Sequence, residues 1–132
     1  MLEQKHDGRI KLFVTARALR LRRERPDLFT GGYVPLEVTG ARAGHLFCFA
    51  RVAEASAAIV AVPRLVATLL RGADQMPIGP DIWGDTAIVL PTAFPSRRWA
   101  DVFTGEVIEA SDDHRLPAAA VLGSMTVALL AP

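Results

Sequence analysis

The first thirty residues carry two apolar stripes where one would be usual. At about 100° per residue on a helix, the two stripes fall on nearly opposite sides: one contains Ile10, Phe13, Val14, Ala18 and Leu21, and the other contains Leu12, Ala16 and Leu19. A helix lying on one small domain needs a single stripe. The pattern therefore predicts a leading helix placed between two bodies, or one that its own domain covers more deeply.

The limits of this helix follow from the flanking residues. Asp7 is a candidate N-cap, because a side-chain oxygen there can accept from the first free amides. Arg25-Pro26 ends the helix, since proline disfavours the α conformation of the residue before it. Gly31-Gly32 then supplies a turn into extended chain. The helix is expected to occupy most of residues 7–25.

After Gly32 the pattern changes to short apolar runs at intervals near ten residues, with turn residues between them. These runs predict strands at 33–39, 45–52, 57–62, 85–90, 99–103, 106–109, 118–122 and 126–130. Thr104-Gly105 predicts a hairpin turn. Residues 72–84 and 111–115 are expected to be loops, and 64–70 fit either more strand or a helical turn.

Short strands at this spacing favour an antiparallel β-sandwich. The predicted fold class is therefore mainly β, a Greek-key-like sandwich preceded by one long N-terminal α-helix. The natural joint is Gly31-Gly32, which gives a leading helix in residues 1–32 and a sandwich domain in residues 33–132.

Composition excludes several partners and compartments. A net charge of +1 argues against a nucleic-acid partner, and the arginines of the helix point all round its axis. The uncharged tail 116–132 is too short and too interrupted to span a membrane. Cys48 is the single cysteine and lies in an apolar run, which predicts a buried thiol and a cytoplasmic protein. The N-terminus lacks a signal-peptide pattern.

The residues do not form a known catalytic or cofactor motif. The three histidines are far apart, so neither a metal site nor a cofactor is expected. Paired carboxylates at 81/85 and 112/113 fall in predicted loops, where solvated turn residues are the usual case. Trp83 and Trp99 are candidate carbohydrate contacts, because flat rings can stack on sugars. Core anchoring is the other interpretation for both, and the preferred one for Trp99.

Several motifs in order resemble a known family. The chain contains KLFVTARALRLR followed by PDLF, then WGDT, then WADVFTG. Together they resemble the C-terminal end of the malto-oligosyltrehalose synthases, members of the α-amylase superfamily, from about Asp7 to Leu130. The resemblance implies that the helix is the last helix of a catalytic (β/α)8 barrel and that the strands form the C-terminal β-sandwich.

The resemblance also implies where the chemistry lies. These enzymes convert the reducing-end α-1,4 linkage of a maltodextrin to an α,α-1,1 linkage, in trehalose biosynthesis. The catalytic carboxylates belong to the barrel, which at about 250 residues cannot fit here, so no residue of this chain is assigned a catalytic role. The expected partners are the barrel and possibly maltodextrin, and the chain alone is expected to be inert.

Two alternatives compete with this structural role. One is a free-standing carbohydrate-binding module that uses Trp83 and Trp99. The other is an unrelated small enzyme with a site in the loops of residues 72–98. Without a barrel, one stripe of the helix would lack cover, so the isolated chain is expected to self-associate through it.

Overall fold

The leading helix forms and ends where the proline predicts. The computed structural model describes residues 9–53, 56–71, 76–94 and 97–132. Helix α1 spans Arg9–Glu24 and helix α2 spans Pro26–Thr30, with Pro26 in the first turn of α2. Arg25 leaves the helical region between them, with φ −133° and ψ 65°. The predicted N-cap Asp7 lies outside the described residues, as does the side chain of Ile10.

Within the described ranges, nine strands form two antiparallel sheets. They are β1 (Gly32–Pro35), β2 (Val38–Thr39), β3 (Leu46–Ala53), β4 (Ser56–Pro63), β5 (Ala87–Val89), β6 (Arg98–Asp101), β7 (Val107–Glu109), β8 (Arg115–Pro117) and β9 (Ala128–Ala131). The large sheet has the order β1-β3-β4-β9-β6-β7, and the small sheet has the order β2-β5-β8. The predicted class, a mainly-β, sandwich-like fold behind one N-terminal helix, is confirmed.

Strand β4 lies at the centre of the large sheet and is covered on both faces. Successive side chains of a strand point to opposite faces. Ile59 and Ala61 belong to the core between the two sheets, together with residues such as Ile88 of the small sheet. Ala58 and Val60 belong instead to the layer under the helices. The continuous apolar run of β4 is thus explained by two-sided burial.

The helices pack on the outer face of the large sheet. Their contact layer is built from Leu21 and Leu28 on the helical side and from residues of the strands and turns below, which are Ala58, Phe103, Met125 and Leu129. The partly buried Phe13, Val14 and Ala18 of α1 join the same layer. The order of layers is therefore helices, large sheet, core, small sheet.

Two strand predictions were wrong. Residues 118–122 were expected to be a strand, but Ala118–Val121 form the short helix α5, and the strand is β8, in and beyond the predicted loop. An uncharged alanine run of this length has no period that separates helix from strand. The expected strand at 33–39 is interrupted at Leu36. It forms two strands, β1 and β2, which belong to different sheets.

The ambiguous segment 64–70 and the predicted loop 72–84 each contain a single helical turn. Val66–Leu69 form α3, which follows Leu65 in the left-handed region at φ 54°. Pro80–Trp83 form α4 inside the predicted 72–84 loop, of which residues 72–75 lie outside the described residues. A 3-10 turn at Ala43–His45 leads into β3.

Candidate functional surfaces

Trp83, the first predicted carbohydrate contact, is a core residue in this structure. Its side chain is 0% exposed, and its indole Nε1–H donates to the Pro77 carbonyl oxygen at 2.8 Å. Trp83 is the last residue of α4, and Gly84 follows it with φ 53°. Trp83 therefore fixes the segment from Pro77 to Gly84 to the core, and it presents no ring face to solvent.

Trp99, the second predicted contact, is buried as well. It lies on β6, is 0% exposed, and packs against Phe94 with a centroid distance of 6.1 Å. Its indole Nε1 has no hydrogen-bond acceptor within the described part of the chain. The structure brings both tryptophans into the core, where the anchoring interpretation applies. A sugar contact through either ring stays a prediction, and burial weighs against it.

The WGDT motif connects two loops through hydrogen bonds. The Ala41 amide donates to Asp85 Oδ1 at 3.1 Å, and the Arg42 amide donates to Thr86 Oγ1 at 3.0 Å. Gly40 has φ 105°, and a Cβ there would lie 2.6 Å from Thr86 Cα. The motif thus holds the turn that precedes β3, which accounts for its residue types without a catalytic role.

A groove of about 300 Å³ lies beside this motif, between residues 84–87 and the 111–117 segment. Asp113 accepts from Ser111 Oγ, and its Oδ2 lies 3.3 Å from Arg115 Nε. The Ser111 hydrogen bond lowers the pKa of the Asp113 carboxyl, with a smaller contribution from Arg115. Each carboxylate of the groove thus has partners inside its own loop or the facing turn.

The remaining carboxylates of the predicted pairs, Asp81 and Asp112, also lie in turns or loops. Asp112 receives a hydrogen bond from Arg97 Nη2 at 2.9 Å, while Asp81 lies exposed in the first turn of α4. Among the residues that the structure describes, no three His, Cys, Asp or Glu side chains are grouped to hold a metal ion. Cys48 is buried as predicted, and burial raises its thiol pKa to about 12.

Asp101, in the WADVFTG motif, is a buried carboxyl that the sequence analysis did not single out. It is 4% exposed, and its Oδ1 accepts the Phe103 amide N–H at 2.8 Å. Burial raises its pKa to about 6, an effect that the backbone donors oppose and Glu106 reinforces. The carboxyl closes the β6–β7 turn, in which Gly105 N–H also donates to the Asp101 carbonyl at 2.7 Å. Its geometry is that of a turn cap.

Helix α1 has one covered side and one open side. We call Phe13, Val14, Ala18 and Leu21 the inner stripe, and Leu12, Ala16 and Leu19 the outer stripe. The inner stripe packs on the large sheet. In the outer stripe Leu12 is 71% exposed, Leu19 is 52% exposed, and Ala16 is exposed as well. The helix is therefore not enclosed by its own domain, and its open side is the outer stripe.

A second apolar surface was missed from the sequence. On the outer face of β1 and β3, Tyr33 and Phe49 stack with a centroid distance of 5.0 Å, and Phe47 lies 5.8 Å from Phe49. Tyr33 is 51% exposed and Phe47 46% exposed, while Val62 pairs with Phe47 from β4. We call these four residues the aromatic face. Alternation in β3 predicts a strand but does not tell which of its faces is covered.

These features define a class of protein: a mainly-β, sandwich-like domain with a leading helix and an uncovered helix surface. None of the helices in the described part of the chain has the length and apolarity needed to cross a membrane. No protein-family model matches the sequence, and no curated protein matches it.

A solved structure shows to which enzyme this chain is related. The chain is similar to a mutant of maltooligosyltrehalose synthase from Arthrobacter ramosus, with 35% sequence identity and a TM-score of 0.67. The match covers 92% of this chain and 13% of that chain. The relationship that the motifs predicted is thereby confirmed: this chain is a domain of the maltooligosyltrehalose synthase type, and it spans only a small part of that enzyme's length.

Proposed function

We propose that the chain is the non-catalytic C-terminal domain of a malto-oligosyltrehalose synthase-like protein and that it supports the catalytic (β/α)8 barrel. In this proposal the leading helix, residues 1–32, is the last helix of the barrel, and residues 33–132 form the sandwich domain. The conversion of maltodextrin ends to α,α-1,1 linkages, and with it trehalose biosynthesis in the cytoplasm, belongs to the larger protein.

The observation that carries the proposal is the two-sided character of α1. Its inner stripe is covered by the large sheet, while Leu12 and Leu19 of the outer stripe are 71% and 52% exposed. Burying a leucine side chain is worth about 1.5–3 kcal/mol relative to leaving it in water. Contact with a neighbouring body that buries these two leucines would therefore be favourable. The 13% share of the related enzyme leaves ample chain for such a body.

The direct experiment compares turnover of maltopentaose by two proteins. One is this chain alone, and the other is the Arthrobacter ramosus synthase with this chain in place of its matching domain. We expect no turnover by the chain alone and retained turnover by the chimera. Turnover by the chain alone would contradict the proposal, and a folded but inactive chimera would show that this domain cannot support that enzyme.

The isolated chain is also expected to self-associate through the outer stripe, because exposed apolar surface favours association. Sedimentation at several concentrations measures this, and Leu12→Ser/Leu19→Ser should reduce it. Val107→Ser is the matched control, since Val107 is 56% exposed but lies on β7. A strict monomer at all concentrations would count against the outer stripe as a contact surface.

The alternative function, a carbohydrate-binding module, has one observation in its favour, and it does not concern the tryptophans. Tyr33 and Phe47 of the aromatic face are the exposed rings that a maltodextrin would reach. Affinity electrophoresis in gels with and without maltodextrin tests this. Retardation that Tyr33→Ala removes and Trp83→Phe leaves unchanged would favour the module, and equal mobility would favour the structural role.

A further inference from the structure

The charged residues around the outer stripe are nearly all of one sign. On a helix of about 100° per residue, Arg23 continues the stripe toward the end of α1, while Arg20 and Arg22 border it on either side. All three side chains are exposed. Glu24, the one carboxylate in the described residues of α1, lies roughly 115° from the middle of the stripe. The outer stripe is thus an apolar strip with a border of guanidinium groups.

These three arginines are free to meet a partner. Within the part of the chain that the structure describes, no ion pair or hydrogen bond engages their side chains. Their neighbours differ: Arg17 lies over the Phe13 ring at 5.1 Å, and Arg25 Nη2 is 3.4 Å from Asp27 Oδ2. Among the arginines that follow Phe13 in α1, the ones that border the outer stripe are therefore those without an intramolecular partner in the described residues.

The charged residues of the whole sequence are also divided by sign, with an excess of basic residues in the N-terminal half. Residues 1–64 contain eleven Lys and Arg against six Asp and Glu, whereas residues 65–132 contain four against eight. A net charge of +1 hides this division. The helix therefore lies in the basic half of a bipolar chain, and charge complementarity across an interface calls for the opposite sign on the partner.

We infer that the outer stripe of α1 docks on a protein surface of acidic character, an apolar groove bordered by carboxylates. The inference rests on the proposed function and adds the chemistry of the surface that receives the helix. A second copy of the chain is the weaker partner for this stripe, because two outer stripes bring like charges together and so limit the self-association of the isolated chain. An anionic membrane is disfavoured as well, because interfacial helices use a broad apolar face, and the wider face of α1 is already covered by the large sheet.

The chain itself can supply a probe of the inferred chemistry. The variant Arg20→Glu/Arg22→Glu/Arg23→Glu has the same apolar strip with a carboxylate border. Mixed with the wild-type chain at low salt, it should form a heterodimer with a Kd about tenfold or more below that of either homodimer. Leu12→Ser/Leu19→Ser in the wild-type partner should abolish the heterodimer. Screening in 1 M salt should remove most of the preference.

The control is Arg64→Glu/Arg71→Glu, which reverses two exposed charges away from α1, and it should give no more than about a twofold preference by general attraction. If the triple variant is poorly helical by circular dichroism, the neutral Arg20→Gln/Arg22→Gln/Arg23→Gln replaces it. That variant should raise homodimer affinity severalfold by removing repulsion. Equal affinities for all pairs would overturn the inference.

A vesicle arm separates the membrane from a protein partner. The wild-type chain is mixed with vesicles of phosphatidylcholine alone and with 30% phosphatidylglycerol. Binding to the anionic vesicles that the triple reversal abolishes would overturn the inference in favour of a membrane surface, and no binding supports a protein partner. An inactive chimera together with a tight heterodimer would reject the barrel-supporting role and keep the inference of an acidic protein partner. An active chimera together with pairing that does not depend on charge would keep the barrel-supporting role and overturn the inference.

Discussion

Strand β4 and helix α1 both carry apolar residues on two sides, but within the described residues only β4 is covered on both sides. Ile59 of β4 faces the core between the sheets, and Ala58 faces the helices. Helix α1 has the large sheet on its inner stripe, while Leu12 on its outer stripe is 71% exposed. A two-sided apolar pattern thus indicates two neighbours, and the described residues supply both of them to β4 but only one to α1.

The largest effect should come from the covered side of the comparison. Ile59→Ala removes a 0% exposed side chain from the core, with an expected loss of about 3–4 kcal/mol in unfolding free energy. Urea denaturation followed by tryptophan fluorescence measures it, because both tryptophans are buried. Leu12→Ala is the matched control on the open side and should stay within about 0.5 kcal/mol. Similar losses in both variants would mean that α1 is not open.

The joint between helix and sheet should be the next most sensitive place. A Cβ on Gly31 would lie 2.0 Å from the Val52 carbonyl oxygen, whereas a Cβ on Gly32 would meet nothing within 4 Å. Gly31→Ala should therefore cost about 2 kcal/mol or detach the helices from the sheet. Gly32→Ala should be close to neutral. Denaturation and amide hydrogen exchange of α2 measure the difference, and two equal variants would refute the close packing at this joint.

The carboxyl of Asp101 makes the stability of the β6–β7 turn sensitive to pH. Its pKa rises from 3.8 to about 6 on folding, so the native state binds more protons than the unfolded chain between those values. The contribution of this group is therefore most favourable below about pH 4 and is lost as the pH rises through about 6.

The variant Asp101→Asn keeps an oxygen for the Phe103 amide and removes the titration. Its unfolding free energy should show a flatter dependence on pH than that of the wild type between pH 4 and pH 7. Urea midpoints measured across this range test the prediction. Parallel curves for the two proteins would show that Asp101 has no raised pKa in the native state.

The sequence predicted the parts of the fold where local pattern and burial agree. The end of α1 before Pro26, the strands β3 and β4, and the hairpin around Gly105 are examples. The motifs WGDT and WADVFTG pointed to the related enzyme, although their roles in the structure are to hold turns. Local signals suffice when one short segment determines its own conformation.

What the sequence missed depends on contacts that pattern alone does not encode. The helix Ala118–Val121 was expected to be a strand because five uncharged residues carry no period. The exposure of Tyr33 and Phe47 depends on how far the helices extend over the outer face of the large sheet, and Trp83 is buried because α4 joins the core between the sheets. Which stripe of α1 would be open was equally undetermined, because both contain large apolar residues.

The most direct measurement compares one double variant in two settings. Leu12→Ser/Leu19→Ser is made in the isolated chain and in the chimeric synthase, with Val107→Ser as the control in both. We expect an unchanged unfolding midpoint for the isolated chain, measured at a concentration where it is monomeric, and a fall of several degrees for the chimera, where the leucines would be buried. Equal, small effects in both proteins would contradict the claim that the outer stripe belongs to a neighbouring body.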